Sequence, residues 1–306
     1  MERYRHPVLL YSLIVFTILG WSLNFVIAKA AMRYLDVWSM ASFRIILSGA
    51  LMLPIYFWTP RRARFHRKDL WMFIVLAFFG VVMNRGLFIL GLGYTTAGHS
   101  ALIVAVGPII ILLMARMMKL ETITMPKVLG MALSFMGVAV LVGGDELHLH
   151  SGTWVGDLIT LGGTLGFAVY TVMAKKVAPH YDTISMNTFS NLAGAIMLLP
   201  LGIRQAMRLD WSSVGWQGWT GLAYTAVISS VIAYLIYFWA LKHVSASRLA
   251  ACTYAETPIA AFLAVLLLGE KPTPALLFGA ALILAGVYLA EFWRGIAEVP
   301  PDTAGA

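Results

Sequence analysis

A handful of polar side chains inside apolar stretches mark where this chain could do chemistry. Asn24 and Lys29 lie in LGWSLNFVIAK at 19–29, Arg44 in ASFRII, Asn84 and Arg85 in VVMNRG, and Glu256 in TYAETP. A charge at bilayer depth costs about 2.5–3.5 kcal/mol for Arg or Asp on insertion scales, so such groups face protein or water and find partners. Glu256 is the one carboxylate deep in an apolar stretch, since Asp157 and Glu291 fall near ends. At about 1.5 Å per helical residue, Arg85 descends roughly 12 Å from one face and Glu256 roughly 15 Å from the other. In a hydrocarbon core about 30 Å thick the two reach similar depth. They are expected to pair, directly or through water, at a cavity where a substrate competes for them. An amino acid suits both poles, its carboxylate at Arg85 and its ammonium at Glu256. The plainer reading is a fixed structural pair, or a Glu256 held protonated by burial.

Helical spacing adds neutral candidates. Thr17, Trp21, Asn24 and Ala28 form one stripe, and Gly163, Phe167, Tyr170 and Ala174 form another. Ser230, Tyr234 and Tyr237 recur at i, i+4, i+7, and Asn187 and Asn191 at i, i+4. Trp21, Asn24, Asn84, Arg85, Tyr170, Ser230, Tyr234 and Glu256 are the expected substrate-binding residues. For the amides and hydroxyls the plain alternative is helix-to-helix hydrogen bonding. Arg44 lies near enough to an interface to snorkel, and so do Lys29 and Lys175. Pro108 and Pro258 each remove a helix hydrogen bond, giving a static kink or a hinge. His148 and His150 in DELHLH read as solvated loop residues, as does His99. No metal site and no cofactor is expected.

These residues need elements to hold them, and composition says which. The 306 residues are 60% hydrophobic and 12% charged, with mean hydropathy +0.82, against about 25% charged for a water-soluble domain. Ten apolar runs approach the length of about 20 residues that a span needs: 8–31, 37–58, 70–92, 98–118, 127–143, 154–175, 183–203, 215–237, 246–268 and 274–293. Backbone in lipid must satisfy itself, and period-two alternation is absent, so the spans are helices. The first run is too long for a signal peptide and reads as retained. Cys252 is the only cysteine, so no internal disulfide forms.

With the N-terminus inside, fifteen Lys and Arg fall on the cytoplasmic side and four on the other, which places both termini in the cytoplasm. The net charge of +8 is then topology, and no nucleic-acid partner is expected.

The chain also repeats. Residues 19–54 and 165–200 align without gaps at eleven identities in 36, among them Gly20/Gly166, Lys29/Lys175, Asp36/Asp182 and Pro54/Pro200. Pro108 pairs with Pro258, and Glu121, Gly130 and Gly137 keep the spacing of Glu270, Gly279 and Gly286. Five helices per copy is odd, so the second copy enters from the opposite face. The expected fold is an all-α polytopic membrane protein: ten transmembrane helices in two inverted five-helix repeats, 1–145 and 152–295, around a central cavity, with a short tail at 296–306. Inverted repeats open such a cavity alternately to each side.

The motifs W-S-L-N-F followed by Lys29, Arg44 in A-S-F-R-I-I-L-S-G-A-L, Pro108, and Gly269-Glu270-Lys271 before a Gly-containing last helix resemble the drug/metabolite transporter superfamily, in its EamA branch. Two positions depart from that pattern: Lys119-Leu120-Glu121 stands where the second copy keeps Gly269-Glu270, and Asp36 where relatives often carry Pro. The resemblance implies a basket-like bundle that exports small metabolites, amino acids foremost, across the cytoplasmic (inner) membrane. Drugs and nucleosides are the alternative cargo. An intramembrane enzyme is the alternative class, but H-E-x-x-H, G-x-S-x-G and G-K-[ST] motifs are all missing. The expected partners are the lipid bilayer and a small-molecule substrate; oligomeric state is unreadable from the sequence.

Overall fold

The computed structural model describes residues 7–60, 65–95, 100, 103–143, 154–259, 262–263 and 274–292. Among the described residues six helices are long and apolar enough to cross a membrane: α1 (Val8–Ala31), α2 (Val37–Trp58), α3 (Arg67–Tyr94), α6 (Trp154–Val177), α7 (Thr183–Arg208) and α8 (Trp216–Leu241). Shorter helices among the described residues include α4 (Gly107–Met117), α5 (Met125–Gly143), α9 (Ala246–Cys252) and α10 (Pro274–Phe292). His99, His148, His150, Glu270 and the tail at 296–306 lie outside the described residues.

Local chemistry sets the helix starts twice over. Asp36 has an extended backbone and its side chain accepts from the backbone N–H of Trp38 and Ser39, capping α2. Asp182 does the same for α7 through Ser185. In both copies the capped serine hydroxyl also donates to the aspartate, at 2.5 Å.

The two halves meet as an antiparallel pair. α2 packs on its own counterpart α7, and α5 on its counterpart α10, while α3 packs on α6 and α1 on α8. This exchange of partners is what a two-fold relation requires. Side chains place the axis. A Cβ added at Gly49 would come within 2.6 Å of the Cβ of Ala195, its repeat equivalent. On α5 and α10, a Cβ at Gly130 would sit 2.6 Å from the Gly286 carbonyl oxygen, and one at Gly137 2.8 Å from that of Gly279. Between them the Ser134 hydroxyl donates to the Ile283 carbonyl at 3.2 Å. Glycines at these crossings let backbones touch, the usual packing route where lipid supplies no hydrophobic drive between helices.

Lys29 and Lys175 do not simply snorkel. Lys29 Nζ donates to the carbonyls of Leu92 (2.6 Å) and Thr95 (3.1 Å) at the end of α3. Lys175 Nζ donates to those of Leu241 (2.5 Å) and Val244 (2.7 Å) at the end of α8. Each lysine thus covers a helix C-terminus, whose free carbonyls and negative dipole end attract a cation. The equivalent carbonyls are 149 residues apart in both cases, 92 to 241 and 95 to 244. That offset relates α3 to α8 residue by residue. Each of these helices also widens to π geometry midway, over Phe78–Leu87 and Thr225–Ile232, a local form often found at functional sites.

Candidate functional site

A cavity of about 80 Å³ opens between the halves, lined on its polar side by Asn24, Arg44, Asn84, Arg85, Ser229 and Glu256. Trp21, Phe167 and Tyr234 supply aromatic wall, and Pro108 also reaches it. The space runs from Trp21 toward Phe25, Phe88 and Val104. In the other direction the rings of Trp21, Phe167 and Tyr237 close on one another at centroid distances of 5.3–6.0 Å. Trp21 is pinned in this layer by its indole N–H, which donates to the Ser229 carbonyl at 3.0 Å.

Arg85 stands at the centre. It is 1% exposed. Its Nη1 donates to Asn191 Oδ1, and its Cζ lies 3.7 Å from the centroid of the Tyr234 ring. By the 149-residue offset Arg85 and Tyr234 are repeat equivalents, so the pair sits on the two-fold axis. A desolvated cation–π contact of this kind is worth about 2 kcal/mol. The Tyr234 hydroxyl donates to Asn84 Oδ1 at 2.5 Å, and Asn84 Nδ2 donates to the Gly163 carbonyl at 3.3 Å. Ring, amide and guanidinium therefore hold one another.

Glu256 follows a turn of 3-10 helix at Thr253–Ala255 and is 8% exposed. Its backbone carbonyl accepts from the Ser22 hydroxyl at 3.0 Å. Among the described residues the one ion pair is Lys127–Glu121, so Arg85 and Glu256 face the same cavity without pairing in this state. Arg85 has Asn191 and Tyr234 as nearer neighbours, which the depth arithmetic could not register.

Other expectations resolve individually. Tyr170 leaves the cavity wall: it is wholly buried, packed edge-on to Phe238 with centroids 4.7 Å apart, and its ring fills the space beside Gly80. Ser230 stands behind the lining and accepts from Arg44 Nε at 2.7 Å. Arg44 itself is only 3% exposed, so it does not snorkel; its helix face is covered by the π-shaped part of α8. Pro108 lies in the first turn of α4, after a turn at Ala105–Val106. Pro258 follows the 3-10 turn of Thr253–Ala255. A proline ring displaces the carbonyl four residues back, here Val104 and Tyr254, so both breaks precede their prolines. Ser229, Thr253 and Phe88 line the cavity with no signal in spacing that set them apart from packing residues.

Two apolar-helix repeats meeting antiparallel around a polar cavity define a multi-pass membrane protein with the build of a transporter. The model of the EamA-like transporter family matches residues 8–143 and again 154–292, and the chain belongs to that family. It is 28% identical over 284 residues to an uncharacterized transporter of Archaeoglobus fulgidus, covering 91% of this chain and 96% of that one. It is 26% identical over 278 residues to a probable terminal-alkyne amino-acid exporter of Streptantibioticus cattleyicolor, covering 90% and 91%. A crystal structure of another protein superposes with TM-score 0.76 at 18% identity, over 91% of this chain and 98% of that one; it shares the fold.

Proposed function

We propose that this membrane transporter is a secondary exporter of small metabolites, with amino acids as its cargo, working by alternating access across the cytoplasmic membrane with both termini inside. The observation that carries this is the placement of Arg85 and Glu256 on one cavity without an ion pair between them. A cation and a carboxylate held apart leave both poles of a zwitterion a partner. The name of the relative from Streptantibioticus cattleyicolor, a probable terminal-alkyne amino-acid exporter, agrees with this cargo. The substrate-binding set is Trp21, Asn24, Asn84, Arg85, Tyr234 and Glu256, with Ser230 steadying Arg44 and Tyr170 packing behind. The backbone breaks beside Pro108 and Pro258 border the cavity through Val104 and Thr253, and they supply the hinges. In the proposed topology the closed aromatic layer faces the cytoplasm.

Proteoliposomes preloaded with labelled amino acids test the reading. Saturable efflux is expected, reduced at least tenfold by Glu256→Gln in protein that stays monodisperse. Saturable flux of nucleosides or organic cations, with none of amino acids, would sink it.

A further inference from the structure

The zwitterion reading, on which this inference rests, uses one arginine, yet two line the cavity. Arg44 and Arg85 are 3% and 1% exposed, and Glu256 is the one carboxylate among the described lining residues. The lining therefore carries two guanidiniums against at most one negative charge. Burial of a charge is costly unless a counter-charge or full hydrogen bonding offsets it. The Lys127–Glu121 pair elsewhere in this protein shows what an offset looks like: 3.3 Å apart, with Glu121 also accepting from the backbone N–H of Ser247 at 3.1 Å.

The arginines of the cavity are not so treated. Arg85 Nε and Nη2 have no hydrogen-bond partner. They are the two atoms that a carboxylate engages side-on, in the bidentate geometry arginine favours. Arg44 spends that same edge on protein, Nε on Ser230 and Nη2 on Ser229 at 3.4 Å, and keeps Nη1 unpartnered. One idle fork and one idle single donor remain. On the acceptor side Asn24 Oδ1 is likewise buried without a donor. A neutral amino acid fills the fork with its carboxylate and offers its ammonium to Glu256 and Asn24, but leaves Arg44 and a net positive lining.

We infer that the cavity selects an amino acid with a second, distal carboxylate: an amino dicarboxylate whose α-carboxylate takes the free edge of Arg85, whose ammonium meets Glu256 and Asn24, and whose side-chain carboxylate reaches Arg44. Such a solute carries one net negative charge and balances the lining. Small torsional shifts of the two guanidiniums turn their idle N–H groups to the ligand. Arg44 is then a specificity-determining residue, because it separates acids from their amides.

Matched pairs of equal shape test this in the wild-type protein. Thermal-shift titrations compare aspartate with asparagine and glutamate with glutamine on purified protein. The acids should half-saturate at concentrations at least tenfold lower than their amides. In Arg44→Gln the ratio of amide to acid half-saturation should fall at least tenfold, toward one; Arg44→Lys, which keeps the charge, should retain part of the preference and serves if the Gln variant does not fold. Amides binding as well as acids would overturn the second carboxylate while leaving the amino-acid reading intact. No shift from any of the four, or shifts only from nucleosides or cations, would overturn both.

Discussion

Two of the contacts on the two-fold axis are built in opposite ways. Where α5 meets α10, glycines bring backbone against backbone, with Gly130 facing Gly286 and Gly137 facing Gly279. Where α3 meets α8, the axis falls between an arginine and a tyrosine that sit at equivalent positions and differ in charge. The first crossing keeps its glycines in both copies, although Ser134 and Ile283 between them, equivalent by the same offset, differ. The second keeps only the backbone symmetry and its π-shaped turn. Packing tolerates identical surfaces on an axis, but recognition of a polar solute needs unlike groups around it. The polar crossing is thus where the copies have diverged in charge.

The largest expected effect breaks the tight crossing. Gly137→Leu places a branched side chain where even a Cβ would lie 2.8 Å from backbone, and overpacking of this kind costs about 1–3 kcal/mol or more. Loss of folded, monodisperse protein in detergent is the expected readout, and normal yield would show the crossing is looser than described. Next comes the polar crossing. A double-mutant cycle of Arg85→Met and Tyr234→Leu should give a coupling of about 2 kcal/mol, the size of a desolvated cation–π contact. Additive losses in the thermal-unfolding midpoint would mean the two residues act separately.

Smaller effects sharpen the comparison at the helix ends. Lys175→Met should cost about 1.5 kcal/mol, the low end for a hydrogen bond to a charged group, because the side chain is only partly buried. Lys29→Met should cost less, because Lys29 is the more exposed of the two and solvent screens it. Equal losses would contradict the difference in burial. Smallest is Tyr181→Phe, which removes the 2.5 Å bond from this phenol, in the connection before α7, to Asp69 in the first turn of α3; about 1 kcal/mol is expected. Burial and the Asp69 carboxylate push this phenol up to about 12. An unfolded tyrosine ionises near 10, so the contribution is full below about pH 10 and is lost as pH rises toward 12. Alkaline stability of the wild type should fall more steeply than that of the variant across that window.

Much of the architecture was legible because it is written in periodicity and spacing. Lys29 and Lys175 revealed the repeat, and its odd helix number gave the inversion. Their actual partners were not legible, since backbone carbonyls carry no sequence signature. Arg85 and Glu256 could be placed at a common depth by counting residues. Their lack of a mutual bond could not, because it depends on Asn191 and Tyr234 arriving from other helices. A stripe likewise tells which residues share a face and not what covers it. So Tyr170 went to a space left by Gly80, and Arg44, read as an interface charge, was buried by a π-shaped stretch that nothing in the residue pattern announces.

Arg85 on the axis carries a last consequence, for the number of polypeptides. Two separate, identical five-helix chains assembled about the same axis would place either two tyrosines or two guanidiniums face to face. Two like charges about 4 Å apart repel by roughly 4 kcal/mol even at an effective dielectric of 20. Joining both halves in one chain lifts that constraint, since each half can mutate alone. An unlike pair at the centre is therefore a property that halves of different sequence can encode, here joined in one chain, and a strict homodimer of this fold would have to build its cavity from off-axis groups.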